Sequence, residues 1–340
     1  MTGVQTPLAT KLPSFSIILE TENLANADIQ GLVKSLASLV NQDISPAQAN
    51  EVLLIESGDT PPELLQQLCQ MYPWIQVCQA PLSTGYYKAK MLGAQQATGD
   101  IIVYCDSDCI YEPHWLRTIL TTFADHPDIQ IVAGETTTRG VGPYGTAMAL
   151  TYIFPQYTQD RELAPTHQYF LNNVAFRRQF LLTCPIPAEL PLYRGNCVIH
   201  AYDLSRQGYT IWRQPQARAT HAPPNGLSHF FWRFLMIGYD MYWQKQVFDQ
   251  KAIESAKVAI SQHSQDMTRK LTLAGFQSKS GVFFQRMGRM FRNNPWHLLY
   301  FPLALPIAAV SVALIYAGYL ITTIQPDFLL KTYDQVLGEA

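Results

Sequence analysis

Charge is scarce in this sequence. Only 15% of the 340 residues are Asp, Glu, Lys or Arg, and the formal net charge is -2. Without a basic excess the chain is not built as a general nucleic-acid binder. So few charges suit a protein that meets lipid over part of its surface. Cysteine is scarce too. The six, at 69, 78, 105, 109, 184 and 197, form no C-x-x-C pair and no zinc-like double pair. That pattern excludes a disulfide framework and implies reduced, mostly buried thiols. No G-x-G-x-x-G follows the first apolar run, which removes the dinucleotide-dependent oxidoreductases. The opening MTGVQTPLATKLPSFSIILE is polar up to that run. It predicts no secretory signal and a globular part held in the cytosol. There is no internal repeat and no low-complexity tract.

What is present is a regular alternation. Short apolar runs at Phe15 to Leu19, Glu51 to Ile55, Ile75 to Cys78 and Ile101 to Cys105 are bounded by turn residues and predict buried strands. Between them, Leu32 to Val40, Pro61 to Tyr72 and residues 86 to 97 carry helical spacing. Four strands alternating with helices predict an α/β fold, a doubly wound mixed sheet with a parallel opening. Beyond residue 113 the pattern is mixed. It predicts a helix at Pro113 to Phe123, a strand at Gln130 to Ala133 and a Thr- and Gly-rich loop at Thr136 to Thr146. Helices near 173–182 and 196–207 and a strand at Thr210 to Gln214 follow.

The C-terminal third differs in kind. Leu227 to Trp243 is dense in aromatics but interrupted by Arg233 and Asp240, as in an interfacial or groove-lining helix or an ordinary buried one. Leu298 to Ile324 has no charged residue and is long enough to cross a hydrocarbon core of roughly 30 Å. Six Lys and Arg between 269 and 292 precede it without an acid between them. They predict an inner or plasma membrane protein with its catalytic domain on the cytosolic side. Pro302 and Pro306 leave a kinked or re-entrant helix open. The division expected is a tail to residue 12, a globular domain over 13–225 with halves meeting at 110/111, an interfacial helical region over 226–296, a membrane or re-entrant helix over 297–325, and a tail.

The chemistry concentrates at Asp106-Ser107-Asp108, directly after the apolar strand ending at Cys105. In open α/β sheets, ligands bind at the carboxyl ends of the strands. Two carboxylates this close repel unless a cation joins them. Mg²⁺ or Mn²⁺ takes such oxygens and bridges to phosphates. Asp106 and Asp108 are therefore the candidate metal ligands, with Asp108 also counted as catalytic.

Across residues 13–225 the chain resembles the family 2 glycosyltransferases of GT-A fold. Ile17 to Asn23 is similar to their opening strand and turn, with Glu20 where proline is usual. Leu32, Ser38-Leu39 and Gln42 match their first helix, and Leu54 to Asp59 their "VVDDGS" strand end. Gly85, Ala89-Lys90-Met91, Gly93, Ala97 and Gly99-Asp100 follow their "G..ARN.G...A.GD" segment, and Val103 to Cys109 their "flDaDd" run. The resemblance implies a nucleotide-diphosphate sugar as donor, with Thr21, Glu22 and Glu56 toward the nucleotide. A carboxylate at Glu56 suits an imide N–H such as uracil's. It implies further that Gly85 and Lys90 meet the diphosphate, Lys88 being the rival cation, and that His221 completes the metal shell. It also sets Asn172-Asn173 to Arg178 beside "GGNMAFRR". There Asn173 stands near the acceptor, or either amide caps a following helix. Trp232-Arg233 reverses the end of the Q-x-x-R-W of processive synthases, and one span is visible, which favours transfer of a single sugar.

One departure matters. Where the family carries G-E-D-x-D-L, this chain reads Gly195-Asn196-Cys197-Val198-Ile199-His200. Asparagine cannot take a proton, and a thiol is a poor base for sugar transfer. Four readings stay open: His200 or Asp203 as base; a base elsewhere, such as Glu135; an anionic polyprenyl-phosphate acceptor that needs none, gripped by Arg194; or a membrane scaffold that binds without turnover. The acceptor expected is lipid-linked or a glycan, reached at the membrane.

Overall fold

The computed structural model describes residues 11–21, 29–58, 60–261 and 279–337. Glu22 lies outside the described residues. The elements divide into two compact units. Unit 1 comprises residues 1–136, 159–188 and 200–220, and unit 2 comprises 137–158, 189–199 and 221–340.

Unit 1 is built on a nine-stranded sheet. Its parallel part consists of β1 (Phe15–Glu20), β2 (Val52–Glu56), β3 (Ile75–Gln79) and β4 (Ile101–Cys105). The helices between them are α1 (Ile29–Val40), α2 (Pro62–Met71) and α3 (Tyr86–Gln96). β1 is buried on both faces, as expected of a parallel strand covered by helices. Ile17 and Leu19 join the core with Leu36, Leu39 and Trp115. Ile18 faces the other way, onto α3 at Gly93, where an added Cβ would lie 2.6 Å from its Cγ2. Only glycine lets α3 lie that close.

After β4 come β5 (Cys109–Tyr111), α4 (Trp115–Asp125), β6 (Ile131–Thr138), α5 (Gly142–Thr151), β7 (Ala164–Thr166), β8 (Asn173–Arg177), α6 (Arg178–Thr183), α7 (Asn196–Arg206) and β9 (Ile211–His221). The strand order is β3-β2-β1-β4-β8-β6-β9-β5, with β7 against β9. β8 runs antiparallel to both β4 and β6, so the sheet is mixed, as expected.

The structure corrects the sequence reading in this later half. Residues 173–177 are a strand, not the start of a helix, and they pair with all of β4. The expected loop at 136–146 is the end of β6 and the start of α5. The strand expected to end at Gln214 runs on to His221. Asn173 explains the strand at 173: its Nδ2 donates to the carbonyls of Glu135 and Ala217, each at 3.1 Å, while its Oδ1 accepts from Trp115 Nε1 at 2.7 Å. The side chain is a cross-brace between β6, β9 and α4, and it caps no helix. Asn172 Oδ1 likewise accepts from Thr136 Oγ1 at 3.1 Å.

Unit 2 is helical. It holds α5, the 36-residue α8 (Gly226–Ser261) and the helices Lys279–Asn293, His297–Ile324 and Phe328–Leu337. The last of these lies in the stretch expected to be a tail, and its Leu329 is buried with Met236 and Tyr239 of α8. The helix His297–Ile324 is long and apolar enough to cross a membrane. Its buried positions are narrow ones, among them Ala304, Ala308, Ser311 and Gly318. At Gly318 an added Cβ would stand 2.1 Å from the Leu235 carbonyl, and at Gly238 of α8 the same distance from the Ile315 carbonyl. Two glycines thus bring these backbones together, the small-residue seam that helices use where apolar burial gives no drive. Leu299, Leu303, Leu320 and Ile324 are largely exposed. Arg286 does not point outward as a surface charge. It donates to the carbonyls of Ala149, Tyr152 and Phe154, closing the C-terminal end of α5.

Candidate functional site

The carboxyl ends of β1, β2 and β4 lie side by side, since Glu20 is in register with Ile55 and Ile18 with Tyr104. They place Thr21, Glu56 and Asp106 at one edge of the sheet, where open α/β sheets take ligands.

Asp106 is 5% exposed and tightly held. Tyr86 Oη donates to its carboxylate, 2.8 Å from Oδ2 and 3.0 Å from Oδ1, and Lys90 Nζ lies 2.8 Å from Oδ1. Tyr86 and Lys90 stand one helical turn apart on α3, so both reach the same carboxylate. The Asp106 N–H donates to Tyr111 Oη at 2.9 Å, and that hydroxyl donates to the Asn172 carbonyl. Ser35 Oγ donates to the Asp106 carbonyl at 3.2 Å. Sequence reasoning missed Tyr86, Tyr111 and Ser35. Only the Tyr86–Lys90 spacing signalled one of them.

Lys90 overturns its expected role. It is fully buried, boxed by the Tyr86 and Tyr104 rings with centroids 5.3 and 5.7 Å from Nζ. Its three protons go to Asp106, to the Cys105 carbonyl and, at 3.5 Å, to the Ile18 carbonyl. An ammonium with three donors so placed has none left for a diphosphate. The cation that offsets the first carboxylate is therefore part of the protein. Lys88 is exposed.

Asp108 is half-buried. Cys109 Sγ, buried beside it, lies 3.7 Å from Oδ1. Glu56 is buried; its Oε1 accepts from the N–H groups of Gly58 at 2.6 Å and Thr60 at 3.4 Å. Its Oε2 is buried with no hydrogen-bond partner among the described residues. Thr21 Oγ1 donates to the Ile55 carbonyl and accepts from the Ser57 N–H, both at 3.2 Å. It ties β1 to β2; Glu56 Oε2, Thr60 Oγ1 and Ser107 Oγ are the buried atoms near these strand ends without a hydrogen-bond partner among the described residues. Gly85 precedes α3 and is exposed.

The candidate bases fare differently. His200 is buried: Tyr169 Oη lies 2.6 Å from Nδ1, and the Cys184 carbonyl lies 3.0 Å from Nε2. A carbonyl can only accept, so Nε2 carries the proton and Nδ1 accepts from the tyrosine. Both nitrogens are used, and burial pushes the imidazole pKa down to about 4. This histidine is a strut and has no lone pair for a substrate proton. Asp203, half-buried on α7, stands near it. Glu135 is buried 3.6 Å from Arg213 Nε. In unit 2, His221 Nδ1 lies 2.5 Å from the Ala222 carbonyl with its ring against Phe154, and the Arg194 N–H donates to Asp240 Oδ2 at 3.0 Å. Asp108 and His221 thus belong to different units. A cleft of about 590 Å³ in unit 1, lined by Glu112, His114, Asp160 and Arg218 among others, includes none of these residues.

Residues 24–184 match the family described as Glycosyl transferase family 2. The chain is similar to N-acetylgalactosaminyltransferase 6 of Drosophila melanogaster, 27% identical over 118 residues, 34% of this chain and 17% of that protein. It thus spans about a fifth of the length of the first curated relatives it matches. Two solved structures share the fold. One is GalNAc-T7 with UDP, GalNAc and Mn²⁺ (TM-score 0.50, 14% identity, 63% of this chain and 45% of that one). The other is the mannosyltransferase PcManGT from Pyrobaculum calidifontis with GDP-Man and Mn²⁺ (TM-score 0.50, 18% identity, 96% of this chain and 86% of that one). The GT-A fold expected from the sequence is the fold observed.

Proposed function

We infer that the chain is a metal-dependent glycosyltransferase that moves a single sugar from a nucleotide-diphosphate sugar to a lipid-linked or glycan acceptor at a membrane. The observation that carries this is the carboxyl end of β4, where Asp106 is locked by Lys90 and Tyr86 while Asp108, two residues on, keeps a half-exposed carboxylate.

The donor set fits a hard cation. Mg²⁺ and Mn²⁺ bind through one or two carboxylates, with water and substrate phosphate filling the other positions. Asp108 would hold the ion, with Asp106 as a further oxygen donor. Bound there, the ion neutralises charge on the departing diphosphate. The protein's own part is to hold the Asp106 backbone and carboxylate rigid through four side chains, Tyr86, Lys90, Tyr111 and Ser35, so that Asp108 leaves the strand in one direction. Glu56 Oε2 is a buried acceptor awaiting a donor, which favours a base with an imide N–H and hence a UDP-sugar. The two solved neighbours, with UDP and GDP-Man and both with Mn²⁺, support the donor class and the divalent ion. The apolar helix supports the membrane setting, with the sheet unit on the cytosolic side. A non-catalytic scaffold would bind the same donor without turnover.

The test is calorimetric titration of the full chain with UDP, with Mn²⁺ and again after chelation. Binding that weakens at least tenfold without the ion is expected. Equal affinity in both conditions would overturn the reading.

A further inference from the structure

In unit 2 the apolar helix His297–Ile324 is followed, after Gln325-Pro326-Asp327, by the terminal helix Phe328–Leu337. At 28 residues the apolar helix is about 42 Å long, enough for a full crossing. A crossing would carry the terminal helix to the far side of the bilayer. Its contacts lie elsewhere. Tyr333 Oη stands 2.7 Å from Tyr193 Oη, with the ring centroids 5.0 Å apart, and the Trp232 ring is 5.9 Å from that of Tyr333. Leu329 is buried with Met236 and Tyr239 of α8. Tyr193 cannot follow a helix across. It is five residues from Ala188 of unit 1, and five residues reach at most about 18 Å. Even with the length of two tyrosine side chains added, that falls short of a bilayer with its headgroups, about 40–45 Å thick.

The two sides of α8 agree with this. Leu235 and Gly238 meet the apolar helix at Gly318 and Ile315. On the opposite side, Arg233 Nε donates to Tyr152 Oη at 2.9 Å, and Asp240 accepts from the N–H groups of Tyr193 and Arg194 at 2.6 and 3.0 Å. The segment so held is irregular backbone, and Glu189 and Pro191 within it are exposed. Lipid does not tolerate exposed irregular backbone, so this side faces water. The apolar helix divides in the same way. Ala304, Ala308, Ser311, Gly318 and Thr322 form a stripe against protein, while Leu299, Leu303, Leu320 and Ile324 are exposed. One covered face and one apolar face are what a helix in the plane of a membrane needs. The helix before it extends that surface, with Phe284 and Trp296 exposed. From Lys279 to Pro326 there is no acid, while Arg289 and Arg292 remain, a balance that suits anionic headgroups.

We propose that the helix His297–Ile324 does not cross the bilayer. It seats in one anionic leaflet, and the terminal helix Phe328–Leu337 stays on the face of the membrane that carries unit 1. This rests on the membrane setting of the proposed function and on none of its chemistry.

The full chain, with one epitope tag at each end, is expressed in bacterial cells, and intact spheroplasts and inverted inner-membrane vesicles are treated with protease. Both tags should survive in spheroplasts and be lost together in inverted vesicles. Loss of the C-terminal tag in spheroplasts, with the N-terminal tag intact, would show a crossing and overturn the proposal. Recovery of the chain in the soluble fraction would overturn the membrane setting itself, and the proposal with it. The titration with UDP and Mn²⁺ tests the chemistry separately, so its failure is distinguishable from either result.

Discussion

The end of β4 and the start of α7 are the two places where a transferase of this fold needs acids, and they have gone opposite ways. At β4 both carboxylates are present, and the first carries its own buried ammonium. Before α7 the acids have become Asn196 and Cys197, and the neighbouring charges are arginines. On the reading proposed above, the first region holds a cation on the donor side, while the second carries no carboxylate at Asn196 and Cys197. The contrast teaches that the two halves of one reaction need not rest on the same chemistry. Where the acceptor brings its own negative charge, a base is dispensable and a counter-charge is required.

The hardest way to break the comparison is to remove the donor-side acid. Asp108→Ala should lower sugar transfer by about 10³-fold, the scale expected when a group stabilising transition-state charge is lost. Radiolabel from a sugar nucleotide entering a membrane extract, with Mn²⁺ present, would measure it. Activity within tenfold of wild type would mean that the cation is held elsewhere.

Removing the internal ammonium tests whether Asp106 is held as argued. Lys90→Met leaves a buried carboxylate without its partner and should cost about 3–5 kcal/mol of stability. Adding Asp106→Asn to that variant should recover a large part of the loss, since the unpaired charge is then gone. Denaturant unfolding of the single and double variants gives the coupling. Additive losses would mean that the two side chains act independently.

These two residues also show where the sequence stops being readable. Ile101 to Cys105 is one apolar run closed by acids, so its strand and its exit into a crevice follow from pattern alone. The role of Lys90 does not, because a lysine four residues into a helix is ordinarily solvated. Only the packing of α3 on β1 and β4, permitted by Gly93, turns it inward. β8 was hidden for a related reason. Asn173–Arg177 runs into α6 without a side-chain cap, so no local signal separates strand from helix. What makes it a strand is pairing to β4 and β6, both distant in sequence.

The third test concerns His200, a candidate for the missing base. Its pKa is lowered in the fold from an ordinary 6.5 to about 4 by burial. The neutral form is therefore favoured by folding, and its contribution is present above pH 6.5 and lost as the pH falls toward 4. About 3 kcal/mol is at stake across that window. His200→Gln can still donate to the Cys184 carbonyl. It should flatten this part of the stability profile and leave the rate of transfer within about threefold. A loss of 10²-fold or more in rate with an unchanged melting temperature would return His200 to the role of base.

The smallest effect sharpens the comparison most. Cys197→Asp puts a carboxylate back where the family carries one. If the acceptor were a neutral hydroxyl, the new acid would serve as a base and transfer would rise. If the acceptor arrives as an anion, the new acid repels it. A penalty of about 1 kcal/mol, or roughly fivefold, is the scale for one added charge near a partly solvated pair. With an anionic acceptor the expected result is thus a modest fall in transfer, borne by the acceptor KM. UDP affinity should not move, because the donor side, with its carboxylates on β4, does not include this residue. A rise in rate would place a hydroxyl at the site.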